Sequence, residues 1–294
     1  MDCMNIEHPY SDLNGGSWLR GNLHAHTAFS DGSRGRQEVI DDYAGRGHGF
    51  LMLSDHDVFT GPDEYGPLQS RGLVLIPGNE ISAAGPHVLH VNANRRVEPV
   101  PNRQVVIDDA IKSGGFVILN HPNWQDRFDH FTLGHMAALR GHIGIEIYNG
   151  VIGRLDGSPY ATDKWDLLLS YGQRIWGFAN DDSHRATGDC GLGWNCVYVR
   201  ERSVSAIVSA LEVGRFYAST GVTISNIQVN GNRIRVETEN AERIVAMQHF
   251  AKRLKVEDGK SIELEVPADA RYVRFECWGS GEQFAWTQPF WVRP

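Results

Sequence analysis

The chain has 294 residues, of which 41% are hydrophobic and 22% are charged, with a formal net charge of -8 at pH 7. This apolar content is ample for a buried core in one large domain, or in a large and a small domain, which argues against a disordered chain. The acidic balance, without runs of Lys and Arg, excludes a broad nucleic-acid footprint. It leaves room for a small anionic substrate, because bound metal ions supply local positive charge.

The four cysteines, Cys3, Cys190, Cys196 and Cys277, lack the paired C-x-x-C spacing of a zinc ribbon and do not suggest a disulfide framework. No stretch approaches about 18 consecutive apolar residues, and no basic segment followed by an apolar one opens the chain. We therefore expect a soluble cytoplasmic protein with reduced thiols and no membrane contact. The sequence does not determine its oligomeric state.

After a polar, glycine-rich lead-in over residues 1–17, short apolar runs alternate with helical segments. The predicted strands are 18–24, 49–53, 73–77, 87–92, 116–119, 143–148, 174–179 and 197–199. The predicted helices are 35–45, 105–113, 164–171 and 203–214. Such alternation is typical of a parallel sheet, and about seven or eight units in roughly 200 residues favour a closed barrel.

The pattern changes after residue 220. The predicted strands of this tail are 224–229, 233–238, 244–247, 261–266 and 272–278. They alternate apolar and polar residues without a helical interruption, and turn signals such as Asp258-Gly259 separate them. We therefore predict an α/β fold with one domain over 18–220 and a small antiparallel β-sandwich over 221–294.

Clusters of residues that can bind metals follow the ends of the predicted strands. His24 and His26 are two apart, so on a strand both side chains leave the same face. Asp31 follows in a loop, where an Asx turn or a helix cap is its alternative role. A single H-x-H fits a structural role equally well, and it is the neighbouring clusters that favour metal binding.

The second and third clusters follow the next two predicted strands. In Ser54-Asp55-His56-Asp57, His56 is the candidate ligand, while Asp55 or Asp57 either orients an imidazole or caps a turn. Glu80 follows soon afterwards, and a carboxylate there can bridge two cations. A plain turn is the alternative explanation for Glu80.

Further along the chain, His87 and His90 are three apart on a predicted strand, so they should face opposite sides and only one should bind metal. His121 ends the next strand and precedes a proline that fixes the backbone. Asp182 and His184 repeat the two-residue spacing after another strand.

The remaining histidines are predicted to be surface or structural residues: His8, His48, His130, His135, His142 and His249. Trp124, three residues after His121, is placed to form a wall of a substrate pocket. The sequence contains neither a G-x-S-x-G elbow nor a phosphate-binding glycine loop before a helix. Serine-hydrolase and nucleotide-kinase chemistry are therefore excluded.

Four motifs resemble the PHP family, the polymerase and histidinol phosphatase superfamily, over about residues 18–220. They are, in chain order, His24-Ala25-His26, Ser54-Asp55-His56, His121-Pro122 and Asp182-Ser183-His184. Residues 21–27 together with 216–221 are further similar to the carbaryl-hydrolase-like branch of that family. The resemblance implies a distorted (β/α)7 barrel with a trinuclear site on the C-terminal side of the strands.

The resemblance also implies which residues hold two or three divalent ions. The implied sets are His24, His26, Glu80 and Asp182 for the first ion, Glu80, His90 and His121 for the second, and Asp31, His56 and His184 for the third. The family histidine after the bridging glutamate matches His90 best, and His87 is the alternative. Imidazole and carboxylate donors suit zinc, manganese or iron.

Such a site implies a metal-activated hydroxide that attacks phosphorus or a carbonyl carbon. Arg185 is a candidate for binding a phosphate oxygen, with a surface salt bridge as its alternative role. His87 or Asp55 is a candidate donor of a proton to the leaving group.

We therefore predict a metal-dependent phosphoesterase that acts on a small phosphomonoester or phosphodiester. Hydrolysis of a carboxylic or carbamate ester is an alternative, because the same hydroxide serves it. A non-catalytic, metal-containing binding module is another alternative, although structural zinc sites are normally closed tetrahedra and the implied ligands are too many for one.

Overall fold

The computed structural model describes residues 5–293, so Cys3 and the first residues of the predicted lead-in lie outside it. In this range the strands are β1 (Asn5–Glu7), β2 (Ser17–Asn22), β3 (Phe50–Leu51), β4 (Val74–Leu75), β5 (Gly78–Ile81), β6 (Val88–Val91), β7 (Phe116–Leu119), β8 (Gly144–Asn149), β9 (Trp176–Asn180), β10 (Trp194–Val199), β11 (Phe216–Ser219), β12 (Ile224–Asn230), β13 (Arg233–Thr238), β14 (Arg243–Gln248), β15 (Lys252–Asp258), β16 (Ser261–Glu265), β17 (Tyr272–Trp278), β18 (Phe284–Thr287) and β19 (Phe290–Arg293). The helices are α1 (Arg36–Gly45), α2 (Pro62–Tyr65), α3 (Arg103–Ser113), α4 (Leu133–Ala138), α5 (Thr162–Ser170) and α6 (Val204–Glu212). Among these helices, none is long and apolar enough to span a bilayer.

The helices begin and end where local chemistry favours it. The side chain of Asn102 accepts a hydrogen bond from the backbone of Gln104 at the start of α3. Gly114 follows the last residue of α3 with φ 105°, a conformation that a residue with a Cβ rarely adopts. The structure thus confirms the predicted helix and its glycine end.

A five-stranded sheet contains β5 to β9 in chain order. β7, β8 and β9 are parallel, as predicted, but β6 is antiparallel to both of its neighbours. The segment 82–87 between β5 and β6 is too short for the crossover of a dozen or more residues that parallel strands need. The sequence pattern therefore located the strand correctly but not its direction.

The largest sheet combines segments from both ends of the chain. β2, β3 and β4 are parallel, and β10 and β11 continue the sheet antiparallel beside β2. The tail strands β17, β18 and β19 extend it, and β1 pairs with β19. Part of the predicted loop-like lead-in is therefore a strand.

Two short bridges connect these sheets. Ala25 pairs with Ser183, and His56 pairs with Glu80. The space between the sheets is filled by one buried apolar cluster with side chains from both, including Leu23, Phe50, Ile76, Leu89, Ile118 and Phe178. The arrangement is a mixed α/β fold, and closure of the strands into a seven-unit barrel stays a prediction.

The tail contributes the third sheet seen in residues 5–293, formed by β12, β13 and β16. Ile234 and Ile262 of this sheet share a buried cluster with Ile244 and Phe275 of the largest sheet. Tail strands also reach the first part of the chain, since Trp286 belongs to a core cluster of that part. The predicted separate sandwich and the boundary at residue 220 therefore stay predictions.

Candidate metal centre

His24 and His26 follow β2 and point into the same buried site. The backbone N–H of His24 donates to the side chain of Asn22, and that of His26 donates to the carbonyl of Ser183, each at 2.8 Å. His24 Nε2 lies 3.1 Å and His26 Nε2 3.0 Å from Asp182 Oδ1. The spacing of two residues thus has the geometric effect that the sequence predicted.

Glu80 is the central acid of this site and is fully buried. Its Oε2 lies 2.7 Å from His56 Nδ1, and its Oε1 lies 3.2 Å from His87 Nδ1 and 3.3 Å from His121 Nε2. Burial alone would raise the pKa of Glu80, but the nearby His24 and His87 hold it well below its usual range. The carboxylate is therefore ionised at neutral pH.

Asp182 is buried next to the two histidines that follow β2, and its backbone lies in the left-handed region with φ 56°. Burial would raise its pKa, but His24 and His26 keep that pKa well below its usual range. A left-handed aspartate is uncommon and marks a position that the surrounding structure fixes. Asp182 thus presents a charged oxygen between His24 and His26.

Asp31, His56 and His184 meet at the outer side of the site. Asp31 Oδ2 lies 3.3 Å from His184 Nε2 and 3.6 Å from His56 Nε2. Burial favours the neutral form of His56, but Asp31 and Glu80 outweigh it and raise the pKa of His56 to about 10. Burial also opposes the charge of Asp31, while His184 and His56 hold its pKa far below the usual range.

The predicted ligand His90 does not reach this centre. Glu80 lies opposite Leu89 in the antiparallel pair of β5 and β6, so Glu80, Leu89 and His87 point to one face and His90 points to the other. His90 Nε2 instead lies 2.8 Å from the carbonyl of Gly114. The structure corrects the choice between the two histidines and places His87 beside Glu80.

Asp55 does not fit its suggested role as a proton donor. One carboxylate oxygen accepts the backbone N–H of Thr27 and the hydroxyl of Ser30, and the other accepts the hydroxyl of Thr27, at 2.7 to 2.8 Å. Asp55 is fully buried and holds the loop after His26. It orients the backbone beside the site and does not line the cavity described below.

Glu146, which is buried on β8, was not predicted from the sequence. Its Oε1 lies 2.8 Å from His24 Nδ1, and its Oε2 accepts the backbone N–H of His121 at 2.9 Å. His121 has φ 27°, an unusual conformation that this hydrogen bond helps to hold. Glu146 therefore orients the imidazole of His24 and the backbone of His121, and its only sequence signal is an acid within an apolar strand.

His130 was predicted to be a surface or structural residue, yet it is buried beside His87 and His121. Its Nε2 accepts the backbone N–H of His87 at 2.9 Å. Burial and the two neighbouring imidazoles lower the pKa of His130 to about 2, so its ring is neutral. Its position in a loop offered no periodic signal by which the sequence could have placed it.

The donor atoms of this centre are better placed to bind cations than to form hydrogen bonds with one another. Within residues 5–293, several of them are buried and lie close to one another, yet they form no hydrogen bond of good geometry, namely His24 Nε2, His26 Nε2, His56 Nδ1, Glu80 Oε2 and Asp182 Oδ1. Buried polar atoms are almost always hydrogen-bonded, so such a concentration needs a reason. Imidazole nitrogens and carboxylate oxygens are the donors that zinc, manganese and iron accept.

Several sets of these residues bring ligand atoms within 4.8 Å of one another. The sets are His26, Asp31, His56 and His184; His24, His26 and Glu80; His24, His121 and Asp182; His56, Glu80 and His87; and His87, His121 and His130. The sets share members, and Glu80 belongs to two of them.

The centre forms one end of a cavity of about 460 Å³. Trp124, Val151, Ile152 and Leu155 line another part of it, together with Arg154 and Arg185. Arg154 is paired with Asp189 at 2.8 Å, whereas no acid in residues 5–293 lies within ion-pair distance of Arg185. Arg185 is therefore the cation of the cavity wall that is available to a bound anion.

Comparison with solved structures identifies the fold. The chain resembles a two-domain protein from Bacteroides vulgatus that contains a predicted PHP-like metal-dependent phosphoesterase, with a TM-score of 0.56 and 18% identity. The similarity covers 98% of this chain and 90% of the other. The likeness shows that the mixed α/β fold of this chain is similar to the fold of that protein.

Two further structures are less similar. An amidohydrolase from Chromobacterium violaceum, with bound sulfate and no metal, has a TM-score of 0.42 and 16% identity, covering 57% of this chain and 89% of its own. A protein assigned as a metal-dependent phosphoesterase from Bifidobacterium adolescentis has a TM-score of 0.44 and 17% identity, covering 56% of this chain and 87% of its own. No family model matches the sequence, and no curated protein matches it either.

Proposed function

We propose that this chain is a metal-dependent phosphoesterase of the PHP superfamily that acts on a small phosphomonoester or phosphodiester. The observation that carries the proposal is the convergence of buried donor atoms of His24, His26, Glu80 and Asp182 that form no hydrogen bond of good geometry. They lie beside a cavity that Asp182 lines together with His56, His87, His121 and His184. The fold, shared over almost the whole chain with a protein containing a predicted PHP-like phosphoesterase, supports it.

The proposal assigns nine residues to three cations. They are His24, His26, Glu80 and Asp182 for the first, Glu80, His87 and His121 for the second, and Asp31, His56 and His184 for the third. His87 replaces His90 in this assignment because of the strand geometry. Zinc, manganese and iron all suit these donors.

Divalent cations held here would supply an activated water at neutral pH and positive charge to offset that of the phosphoryl oxygens. The protein's own residues then position the reactants. The guanidinium of Arg185 binds a phosphate oxygen at the cavity wall, in the bidentate manner that suits arginine and phosphate. Glu146 keeps the His24 ring in the tautomer that leaves Nε2 without a proton.

Neither residue suggested as the leaving-group acid retains that role. The Asp55 carboxylate is occupied by Thr27 and Ser30. His87 is assigned as a ligand, and an imidazole that binds a cation through one nitrogen does not take up the extra proton that an acid needs. The leaving group is then protonated by solvent, which reaches the open cavity.

A substrate panel tests the reaction class. The full chain, loaded with Mn²⁺ or Zn²⁺, is assayed with p-nitrophenyl phosphate, bis(p-nitrophenyl) phosphate and p-nitrophenyl acetate. We expect hydrolysis of at least one phosphate ester that exceeds hydrolysis of the acetate. Activity on the acetate alone would overturn the phosphoesterase proposal and favour a carboxylic ester hydrolase.

The metal requirement is tested separately with His26→Ala. We expect this variant to lose bound metal and phosphoesterase activity together, because His26 Nε2 is among the buried, unpartnered donors. Elemental analysis of the purified protein measures the metal. A variant that loses its metal and keeps full activity would mean that the ions are only structural.

A further inference from the structure

The cavity wall carries two kinds of side chain. Imidazoles and carboxylates, among them His87 and His121, line the part assigned to cations. The wall also contains Trp124 and Leu155, beside Arg154 and Arg185, and Leu155 is 41% exposed. The exposed leucine and the half-buried tryptophan together form an apolar surface. A ligand that covers this surface removes it from water, which is favourable.

Trp124 lies directly against two of the imidazoles. Its ring is centred 5.2 Å from that of His121 and 5.5 Å from that of His87. A phosphate held beside these histidines therefore has its ester group within reach of the indole.

This wall is built from two chain segments that hydrogen-bond to each other. Trp124 forms a bridge with Gly157, and the backbone N–H of Gln125 donates to the carbonyl of Asp156 at 2.9 Å. Gly157 has φ 117°, and a Cβ there would lie 2.3 Å from the carbonyl oxygen of Asn123. The close approach of the segments thus depends on a glycine.

Lys164 holds the segment that carries Trp124 in place through hydrogen bonds. It is buried on α5, and its ammonium donates to the carbonyls of Pro122 and Phe131 at 2.9 and 2.7 Å, and also to that of Phe128. These three carbonyls belong to the segment that carries Trp124. Hydrogen bonds within the protein therefore hold the wall in place, and a preorganised wall reduces the entropy lost on binding.

We propose that the substrate carries an apolar ester group of about the size of an aromatic ring, which binds against Trp124 and Leu155. This inference rests on the proposed phosphoesterase function and specifies its substrate class. Trp124 and Leu155 are then specificity-determining residues. Burial of a ring-sized apolar group raises kcat/KM by about tenfold to a hundredfold relative to a group that leaves the wall exposed.

Two alkyl phosphates of matched reactivity test this inference. The metal-loaded full chain is assayed with 2-phenylethyl phosphate and with ethyl phosphate, whose leaving groups are both primary alcohols. We expect kcat/KM to be at least about tenfold higher for the phenylethyl ester. Trp124→Ala and Leu155→Ser should each bring the ratio of the two values towards one, chiefly through KM.

Val105→Ala is the matched control, because Val105 is 51% exposed on α3 and does not line the cavity. We expect this variant to keep the wild-type ratio. Calorimetry with the non-hydrolysable phenylethyl- and ethylphosphonates gives the same comparison without turnover. Leu155→Ser lies at the exposed rim, so it tests the wall even where Trp124→Ala lowers the yield of folded protein.

The outcomes separate this inference from the proposed function. Equal kcat/KM values for the two esters, or a ratio that Trp124→Ala and Leu155→Ser leave unchanged, would overturn the inference and leave a phosphoesterase. If the metal-loaded wild type hydrolyses neither ester and no phosphate ester of the earlier panel, the proposed function and this inference both fail.

Discussion

Two clusters of buried charged side chains in this protein are built in different ways. At the candidate metal centre, Glu80 and Asp182 each have a buried oxygen without a hydrogen-bond partner in residues 5–293. In the second cluster, Asp166 accepts hydrogen bonds from Arg274 Nε at 2.7 Å and Nη2 at 2.6 Å. The hydroxyl of Tyr272 also donates to Asp166, at 3.2 Å.

The second cluster is complete as it stands. It joins α5 to the tail strand β17, and burial of Arg274 is offset by the Asp166 carboxylate, which keeps the arginine pKa above its usual range. Ionised groups that satisfy each other in this way need no ligand. The comparison shows that burial of charge does not by itself indicate a site, whereas convergent donors without partners do.

The largest expected effect concerns the incomplete cluster. Glu80→Gln removes the central charge while keeping the shape of the side chain, and we expect phosphoesterase activity to fall by about three orders of magnitude, since a catalytic metal contributes several kcal/mol. Bound metal, measured by elemental analysis, should fall by at least one ion per chain. The control is Glu242→Gln at an exposed position of the tail. If Glu80→Gln kept its full metal content and activity, the buried oxygen of Glu80 would not mark a metal site, and the two clusters would not differ in function.

The next effect concerns the complete cluster. Arg274→Met leaves the buried Asp166 carboxylate without its cationic partner, with only the Tyr272 hydroxyl donating to it, and we expect the free energy of unfolding to fall by about 3–5 kcal/mol. The double variant Arg274→Met with Asp166→Leu should recover most of that loss, because both charges are gone. Urea denaturation measures both values, and metal bound per folded chain should not change. A single variant as stable as the wild type would show that the pair does not join the two parts of the chain.

A smaller effect is expected for a residue that orients the metal ligands. Glu146→Gln weakens the hold on His24 and on the backbone of His121, and we expect Mn²⁺ affinity to fall by about 10- to 100-fold. Titration of metal-free protein by calorimetry measures the affinity. Glu98→Gln, whose side chain is 71% exposed, serves as the control. Unchanged affinity in Glu146→Gln would mean that the imidazoles are held by packing alone.

The smallest expected effect concerns His142, a buried histidine outside the candidate metal centre. Both ring nitrogens of buried His142 lack a hydrogen-bond partner in the described part of the chain, and His142 belongs to none of the candidate ion-binding sets found there. Burial, assisted by Arg140, lowers its pKa to about 4. The unfolded chain, with a value of about 6.5, takes up the proton first as the pH falls. Stability present above pH 6.5 is therefore lost between about pH 6.5 and 4.

His142→Leu should flatten this pH dependence. We expect the slope of unfolding free energy against pH to decrease by up to about 1.4 kcal/mol per pH unit over that interval. Denaturation at pH 7 and pH 5 measures the slope, and metal binding should be unaffected. If the slope stays as in the wild type, the imidazole is hydrated and does not titrate as a buried group.

Much of the site was predictable because short-range geometry fixes it. The two-residue spacing of His24 and His26 puts both rings on one face of any extended segment, whatever the segment pairs with. Asp182 and His184 are also two residues apart and both reach the site, with His184 Nδ1 3.7 Å from Asp182 Oδ1, but the backbone of Asp182 is left-handed, so the rule for extended segments does not explain their geometry. His121 was indicated by its position at the end of an apolar strand. In the structure, His121 lies close to Glu80, and Asp182 lies close to the ring of His24.

The choice between His87 and His90 could not be made from spacing. The pattern implied opposite faces, and only the pairing of Glu80 with Leu89 decides which face belongs to the site. Glu146 and His130 were missed for a related reason, since neither follows a motif and each contacts residues that are remote in the chain.

The sequence by itself determined the local elements and the donor chemistry. Helices such as α3 follow from caps and periodicity, and the candidate metal ligands follow from residue types at strand ends. Tertiary structure decided the direction of β6, the pairing of β1 with β19 and the identity of the histidine beside Glu80. The physical reason is that periodicity shows only which residues of a segment share a face. Strand register and pairing depend on the energies of contacts between segments that are distant in the chain, and a local sequence pattern does not reveal these energies.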